Sequence, residues 1–205
     1  MIDQVAGVIL AGGLARRMGG GDKALLSLAG RSLVEHIVAR LRPQVVGLVL
    51  NANGEPRRFA AAGVPVVPDD VPGFPGPLAG ILAGMEWAVA AAPACPWIVS
   101  VPGDAPLLPL DLVSRLVAAA VEQGAEMACA ASDGQNHPVV GLWPVGLAGE
   151  LRHALVDEDI RRIDRWTARY RTAVVEWPVG ELDPFYNVNT PEDLARLEGM
   201  VTRHA

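Results

Sequence analysis

The segment Leu10-Ala-Gly-Gly-Leu-Ala-Arg-Arg-Met-Gly-Gly-Gly-Asp-Lys23 determines how the rest of the chain is interpreted. It follows an apolar run, Val5 to Leu10, and precedes Ser32-Leu-Val-Glu35, a capping box that predicts the start of a helix. Five glycines would let main-chain amides approach a ligand closely. The segment also carries three cations: Arg16, Arg17 and Lys23. Amides and cations beyond the carboxyl end of a buried strand are typical of a polyphosphate site.

Two common phosphate-binding motifs do not fit this segment. A Walker A loop requires Gly-Lys followed by Ser or Thr, whereas Lys23 stands between Asp22 and Ala24. The G-x-G-x-x-G spacing of a dinucleotide fingerprint is also absent. The alternative is a flexible surface loop with basic residues. Because functional residues concentrate in loops held by rigid elements, we predict that the segment binds a ligand.

The composition is that of a packed globular protein. The chain has 205 residues, enough for one domain with a sizeable core, and we expect residues 1–205 to form a single domain. Hydrophobic residues make up 51% of the sequence and charged residues 20%. The net charge of −6 argues against nonspecific binding to nucleic acid. No apolar stretch reaches the length of a membrane span, so we expect a cytoplasmic protein without membrane association.

Short apolar runs alternate with helical patterns through much of the chain. This alternation predicts an α/β fold: a single three-layer, doubly wound domain with a mostly parallel sheet and ligands beyond the carboxyl ends of its strands. After Val5 to Leu10, strands are predicted at Val45–Leu50, Val64–Val67, Trp97–Val101 and Met127–Ala131. Helices are predicted at Arg57–Ala62, Leu78–Ala91 and Leu110–Gln123.

Polar residues follow three of these strands. Asn51 could hold a ribose or a base, or could be an ordinary turn residue. Asp69 precedes the loop Gly76-Pro-Leu-Ala-Gly80, and could bind a ligand or cap a turn. Asp104 lies in a turn stiffened by prolines, five residues before Pro109, near which the next helix is predicted to begin; this is too far for an N-cap. A carboxylate in that position is suited to Mg²⁺.

Later segments leave alternatives open. In Gln135–Trp143, a polar loop is predicted to run into an apolar strand, and His137 is interpreted as a substrate-contacting or orienting residue, with a structural role as the alternative. The cations of Arg161–Arg171 have a helical distribution and form either a solvated face or an attractive surface for an anionic substrate. Thr190 is predicted to cap a terminal helix. Cys95 and Cys129 are predicted to be reduced core residues.

The string Leu-Ala-Gly-Gly-x-Ala-x-Arg-Met-Gly, followed by Asp22-Lys23, resembles the signature of the sugar-nucleotide-type nucleotidyltransferases. Within them the chain most resembles the molybdenum cofactor guanylyltransferases, from Val5 to Leu197. The resemblance implies a Rossmann-like nucleotidyltransferase fold. It also implies an Mg²⁺-dependent transfer of GMP from GTP to the terminal phosphate of molybdopterin or the molybdenum cofactor, with release of pyrophosphate.

The resemblance also implies roles for individual residues. Asp104 would hold Mg²⁺, and Asn189, more than Asn187, would complete the metal site. Lys23 would stabilise charge on the leaving pyrophosphate. Arg17 is the next candidate for this role, and Arg16 the third. The guanine would be bound by main-chain groups of Leu10, Ala11, Gly12 and Gly13, together with the side chains of Asn51 and Asp69.

Two groups of alternatives remain at this point. The first is another nucleotidyltransferase, acting as a cytidylyltransferase of the same cofactor or on a sugar phosphate. The second is a non-catalytic chaperone that carries the pterin to a client enzyme. The expected partners are GTP and the cofactor, with molybdoenzyme clients and cofactor chaperones as further candidates, and neither nucleic acid nor membrane.

Overall fold

The computed structural model describes residues 5–12, 22–71, 73 and 76–201. In this part of the chain the elements are, in order, β1 (Val5–Leu10), β2 (Ser27–Leu28), β3 (Arg31–Ser32), α1 (Leu33–Leu41), β4 (Gly47–Asn51), β5 (Val66–Val67), α2 (Pro77–Ala91), β6 (Trp97–Pro102), α3 (Leu112–Glu122), β7 (Met127–Ser132), β8 (Gln135–Pro144), α4 (Ala148–Val156), α5 (Ile163–Thr167), β9 (Thr172–Trp177) and α6 (Pro191–Val201). None of the described helices is long and apolar enough to cross a bilayer.

A seven-stranded sheet with the order β5-β4-β1-β6-β8-β7-β9 forms the centre of the fold. β8 pairs antiparallel with β6 and β7, and the other pairings within this sheet are parallel. β2 and β3 form a separate two-stranded hairpin. The predicted α/β class with a mostly parallel sheet is confirmed.

The sheet is covered on both faces. Successive side chains of β1 point to opposite sides, as a strand requires. Val5 and Ile9 join one hydrophobic cluster with residues of α1 and α3, whereas Ala6 and Val8 join another with residues of α2, α4 and α5. β1 is therefore buried on both faces, which explains why its sequence is a continuous apolar run.

The sequence signal for the start of α1 is correct, whereas two other predicted helices differ from the structure in type or bounds. The capping box is present: Glu35 N donates to Ser32 Oγ at 3.4 Å, and Ser32 N donates to Glu35 Oε2 at 2.8 Å. The predicted helix at Arg57–Ala62 is instead a 3₁₀ helix, Pro56–Ala62. The predicted helix at Leu110–Gln123 begins at Leu112.

The interpretation of Gln135–Trp143 as a polar loop running into a strand is wrong in its first part. The whole segment belongs to β8, which follows β7 through a two-residue turn, Asp133-Gly134. Both turn residues have positive φ, 48° and 71°, as a tight hairpin between twisted strands favours. The polar side chains at the start of β8 therefore lie on a strand, beside the carboxyl end of β6.

The two cysteines are free thiols. Cys95 is buried, and Cys129 is partly buried. Burial raises the pKa of both thiols, that of Cys129 to about 11. Both groups are therefore protonated at neutral pH, as expected of cysteines that pack rather than react.

Helix α2 packs unusually close to the sheet because glycines face it. A Cβ added at Gly84 would lie 2.7 Å from Cβ of Val8, and one added at Gly80 would overlap the side-chain amide of Asn51. α2 can therefore approach β1 and the carboxyl end of β4 this closely only because these two positions lack a side chain.

We predict that Gly84→Ala lowers the free energy of unfolding by about 1–3 kcal/mol, because the added methyl group must displace β1 or α2. Gly199→Ala is the matched control, since position 199 lies on α6 with no atom within 4 Å of an added Cβ. It should be neutral or stabilising by up to about 1 kcal/mol. Urea unfolding of the three proteins measures both effects, and equal stability of the two variants would contradict the packing argument.

Candidate active site

Three neighbouring parallel strands end together at one edge of the sheet. Leu10 is paired with Asn51 on one side and with Pro102 on the other. Hydrogen bonds continue beyond the strand ends: Ala11 N donates to Asn51 O at 2.9 Å, and Gly103 N donates to Leu10 O at 2.8 Å. The first residues after β1 and β6 are thus held beside the end of β4, at the edge where open α/β sheets bind ligands.

A cavity of about 360 Å³ lies at this edge. It is lined by most of the residues that the sequence singled out: Leu10, Ala11, Gly12, Lys23, Asn51, Asp69 and Asp104. Gly80, from the predicted Gly-Pro-Leu-Ala-Gly loop, lines it as well. Gly13, Arg16 and Arg17 lie outside the described residues.

Lys23 makes the central polar contacts of the site. Its ammonium group donates to Asp104 Oδ2 at 2.6 Å and to Asn189 Oδ1 at 2.5 Å. The Lys23 and Asp104 side chains are mostly buried, at 16% and 19% exposure, so this ion pair is better shielded from water than a surface pair. The two oxygens that the resemblance assigns to a metal ion therefore converge on one cationic atom.

These oxygens fit Mg²⁺ as a partial ligand set. Magnesium is usually bound by one or two carboxylates, with substrate phosphates and water completing its octahedron. Asp104 offers a carboxylate and Asn189 a neutral amide oxygen. Within the described residues there is no group of three or more His, Cys, Asp or Glu side chains that could hold a metal. The remaining ligands at Asp104 would have to come from the triphosphate and water.

Backbone contacts bring Asn189 to this place. Val188 N donates to the carbonyl oxygen of Asp104 at 2.9 Å, which ties the segment before α6 to the loop after β6. Thr190 Oγ1 accepts from Asp193 N at 3.2 Å, and Asp193 Oδ2 accepts from both Asn189 N and Thr190 N at 2.8 Å. The capped start of α6 therefore also fixes the backbone of Asn189.

The other end of the cavity contains amide and carboxylate side chains. Asn51 is 4% exposed and donates its amide to Val67 O at 3.2 Å. Asn53 holds Asp69 by two hydrogen bonds: Asn53 Nδ2 donates to Asp69 Oδ2 at 2.9 Å, and Asp69 N donates to Asn53 Oδ1 at 3.1 Å. Asn53 is not among the residues that the sequence singled out. The structure makes it the residue that orients the Asp69 carboxylate.

Arg58 links the two ends of the cavity. Its guanidinium group donates to the carboxylate of Asp22 and to the carbonyl oxygens of Asn53 and Glu55. Asp22 immediately precedes Lys23, so Arg58 connects the end of the glycine-rich segment with the residue that holds Asp69. Nothing in the local sequence distinguishes Arg58 from the neighbouring Arg57.

A second cavity, of about 320 Å³, adjoins the first at Asp104. His137 lines it, together with Asn187 and Asn189. Burial lowers the pKa of His137 below its ordinary value, against the opposing influence of the nearby carboxylates of Asp183 and Glu176. The neutral imidazole is therefore the prevailing form at neutral pH.

The basic segment Arg161–Arg171 contains a helix only over Ile163–Thr167. Three of its arginines form ion pairs with nearby carboxylates: Arg161 with Asp159, Arg162 with Asp164, and Arg169 with Glu158. The positive charges on these side chains are thus compensated locally, which favours the solvated-face interpretation over attraction of an anionic substrate.

The sequence matches the family model described as the MobA-like NTP transferase domain over residues 7–173. It is 60% identical to the molybdenum cofactor guanylyltransferase of Bradyrhizobium sp. (strain ORS 278), covering 95% of this chain and 92% of that protein. It is 57% identical to the enzyme of the same name from Rhodopseudomonas palustris (strain BisB5), covering 96% of this chain and 93% of that protein.

Solved structures share the fold at low sequence identity. Molybdopterin-guanine dinucleotide biosynthesis protein A from Archaeoglobus fulgidus superposes with a TM-score of 0.73 at 24% identity, covering 97% of this chain and 99% of that one. CMP:2-keto-3-deoxy-manno-octonic acid synthetase in complex with CTP gives 0.75 at 12% identity, covering 98% and 100%. The structures establish the fold, and the close relatives establish the family: this chain belongs to the molybdenum cofactor guanylyltransferases, within the MobA-like NTP transferases.

Proposed function

We propose that this protein transfers GMP from GTP to the terminal phosphate of molybdopterin or the molybdenum cofactor, and that residues 1–205 act as one nucleotidyltransferase domain. An oxygen of the acceptor phosphate bonds to the α-phosphorus of GTP while the bond to the β-phosphate oxygen breaks, so pyrophosphate leaves and the guanine dinucleotide cofactor forms. The observation that carries the proposal is the convergence of Lys23, Asp104 and Asn189 where two cavities meet.

The two cavities suit the two substrates of an in-line transfer. The attacking and leaving oxygens lie on opposite sides of the phosphorus, so the substrates must approach it from different directions. The first cavity reaches the strand ends and the glycine-rich segment, and would hold GTP. The second, which shares Asp104 with it, would hold the acceptor. His137 then contacts or orients the acceptor. It need not act as a base, because the attacking phosphate oxygen is already anionic.

Charge stabilisation falls to a few residues. Lys23, with Arg17, would stabilise the negative charge that develops on the leaving pyrophosphate. Mg²⁺ held by Asp104 and Asn189 would neutralise phosphate charge during the transfer. A solved relative of 21% identity, Rv0371c from Mycobacterium tuberculosis H37Rv, is described as a complex with manganese, which is consistent with a divalent cation in this fold.

Guanine selection would rest on the opposite end of the first cavity. Main-chain groups of Leu10, Ala11, Gly12 and Gly13 would face the base, assisted by Asn51. Because Asn53 already holds Asp69 Oδ2, the Asp69 carboxylate has a fixed orientation in which Oδ1 can accept from the N–H groups of guanine. Cytosine presents a different set of donors and acceptors, so a site built for guanine would leave buried polar groups unpaired with CTP.

Pyrophosphate release with GTP, CTP or ATP tests the proposal against its alternatives when it is measured with molybdopterin, with a sugar phosphate and with no acceptor. A guanylyltransferase releases pyrophosphate only with GTP and molybdopterin together. Faster release with CTP would indicate a cytidylyltransferase. Release with a sugar phosphate would indicate the sugar-nucleotide alternative, and binding without release would indicate a carrier.

We predict that Asp104→Asn retains the fold but loses at least about 100-fold in kcat, because the charge that holds the metal is removed while the side-chain shape is kept. Asp111→Asn is the control, since Asp111 lines neither cavity and accepts instead from Trp177 Nε1. Single-turnover guanylyl transfer at limiting Mg²⁺ measures the effect. Wild-type rates in Asp104→Asn would remove Asp104 from the site.

Lys23 has a second testable consequence, because its ammonium group competes with a metal ion for the same two oxygens. Lys23→Met should lower kcat/KM for GTP through loss of a phosphate contact, by a factor equivalent to about 2–4 kcal/mol of transition-state stabilisation. It should also raise the affinity of the nucleotide-free protein for Mn²⁺ roughly ten-fold, since a competing positive charge is gone. Electron paramagnetic resonance of free Mn²⁺ measures that affinity. Weaker Mn²⁺ binding in the variant would show that Lys23 does not occupy the cation position.

Arg58→Gln should reduce kcat/KM for GTP by a factor equivalent to about 1–3 kcal/mol of transition-state stabilisation. The reason is that Asp22 and Asn53 lose a shared, charge-assisted donor. The KM for molybdopterin should stay unchanged, since Arg58 does not line the second cavity. Arg57→Gln is a matched control at an adjacent, exposed arginine. Steady-state kinetics measures kcat/KM for GTP in both variants. An equal change in the two variants would refute the linking role of Arg58.

A further inference from the structure

Ser132 connects a histidine of the second cavity with a carboxylate. Ser132 Oγ lies 2.6 Å from His137 Nε2 and 2.6 Å from Asp183 Oδ2. Ser132 is only 1% exposed, so water does not compete effectively for these contacts. Asp183 is itself held in place, because its Oδ1 accepts from Phe185 N at 2.7 Å.

The chemistry of the three groups fixes the direction of both hydrogen bonds. An ionised carboxylate can only accept, so the single hydroxyl proton of Ser132 is donated to Asp183. Ser132 Oγ must then accept from His137, which places the imidazole proton on Nε2. A neutral imidazole carries one N–H, so Nδ1 keeps a free lone pair. In the part of the chain that the structure describes, no protein group hydrogen-bonds Nδ1.

The arrangement differs from a nucleophilic serine triad. In such a triad the histidine stands between the serine and the carboxylate and accepts the hydroxyl proton. Here the serine stands in the middle, its proton is committed to Asp183, and it is buried. Ser132 and Asp183 therefore determine which ring nitrogen of His137 carries the proton, and Ser132 is not activated as a nucleophile. The ring of Phe185, 4.8 Å from that of His137, restricts the imidazole further.

We propose that Ser132 and Asp183 are positioning residues that hold His137 in its Nε2–H form, so that Nδ1 accepts a hydrogen bond from an N–H group of the acceptor's heterocycle. The inference rests on the proposed function of the second cavity as the acceptor site. A phosphate group is an acceptor and gains nothing from a bare Nδ1, whereas the ring N–H and amino groups of a pterin are donors. His137 therefore binds the heterocycle of the acceptor, and other residues contact the reacting phosphate.

An isosteric variant can reverse the proton order. In Asp183→Asn, the bond from Phe185 N keeps an oxygen at the position of Oδ1, so the new amide nitrogen faces Ser132. That nitrogen can only donate, so Ser132 Oγ accepts a hydrogen bond from it. The Ser132 hydroxyl must then donate its hydrogen bond to His137 Nε2. The imidazole is then forced into the Nδ1–H form, which cannot accept from the acceptor's N–H.

The test combines two measurements on the full chain. Long-range ¹H–¹⁵N correlation spectra of the histidine side chains report the tautomer of His137. Titration with molybdopterin, followed by tryptophan fluorescence, reports acceptor affinity without requiring turnover. We expect the Nε2–H form in the wild type and the Nδ1–H form in Asp183→Asn. We also expect acceptor binding about ten-fold weaker in that variant, with the Kd for GTP unchanged. Ser114→Ala, which removes an exposed hydroxyl that donates to Asp111 O, should change neither.

Substitution of His137 itself separates recognition from packing. The side-chain oxygen of asparagine can stand near the place of Nδ1, so His137→Asn should retain more acceptor affinity than His137→Ala. The proposal is overturned if wild-type His137 is in the Nδ1–H form, or if Asp183→Asn shifts the tautomer without weakening acceptor binding. Equal loss of GTP and acceptor binding would overturn it as well. Absence of guanylyl transfer by the wild type would instead refute the proposed function, while both binding measurements would still decide the role of His137.

Discussion

The hydrogen-bonded register between β1 and its two parallel neighbours is the constraint on which the rest of the site depends. It sets Leu10 beside both Asn51 and Pro102, and thereby brings the ends of three strands to one edge. A slip of one residue would exchange the two faces of β1, because successive side chains point to opposite sides of the sheet. It would also displace Val8 from the glycine that lets α2 approach the sheet. Core packing and site geometry are therefore specified by the same pairing.

The polar groups of the site are already paired with one another. Asp104 is matched by Lys23, Asp22 by Arg58, and Asp69 by the amide of Asn53. Pairing of this kind offsets the cost of partly burying carboxylates and holds each of them in one orientation. The carboxylates of Asp104, Asp22 and Asp69 would thus be oriented before substrates enter, and binding would require Lys23 to exchange partners.

The sequence predicted what local patterns control. Apolar runs gave the strands, the capping box gave the start of α1, and the order of elements gave the sheet class that the structure confirms. The residues that orient others were not predictable, because tertiary placement selects their partners. Arg58 and Asp22 are 36 positions apart, and Ser132 and Asp183 are 51 apart. The start of β8 was misread because polar side chains there suggested a loop, although Asp133-Gly134 is a strong hairpin signal.

The reversed direction of β8 has a consequence for how such a protein can change over evolutionary time. In the proposed function, the nucleotide side of the site is made by the ends of parallel strands, which are connected through helices on both faces of the sheet. The other side begins with a hairpin and the first residues of a reversed strand, so its polar side chains can be exchanged without altering any parallel crossover. A lineage could thus acquire a new acceptor through a handful of substitutions near one turn, while the machinery that handles the triphosphate is inherited intact.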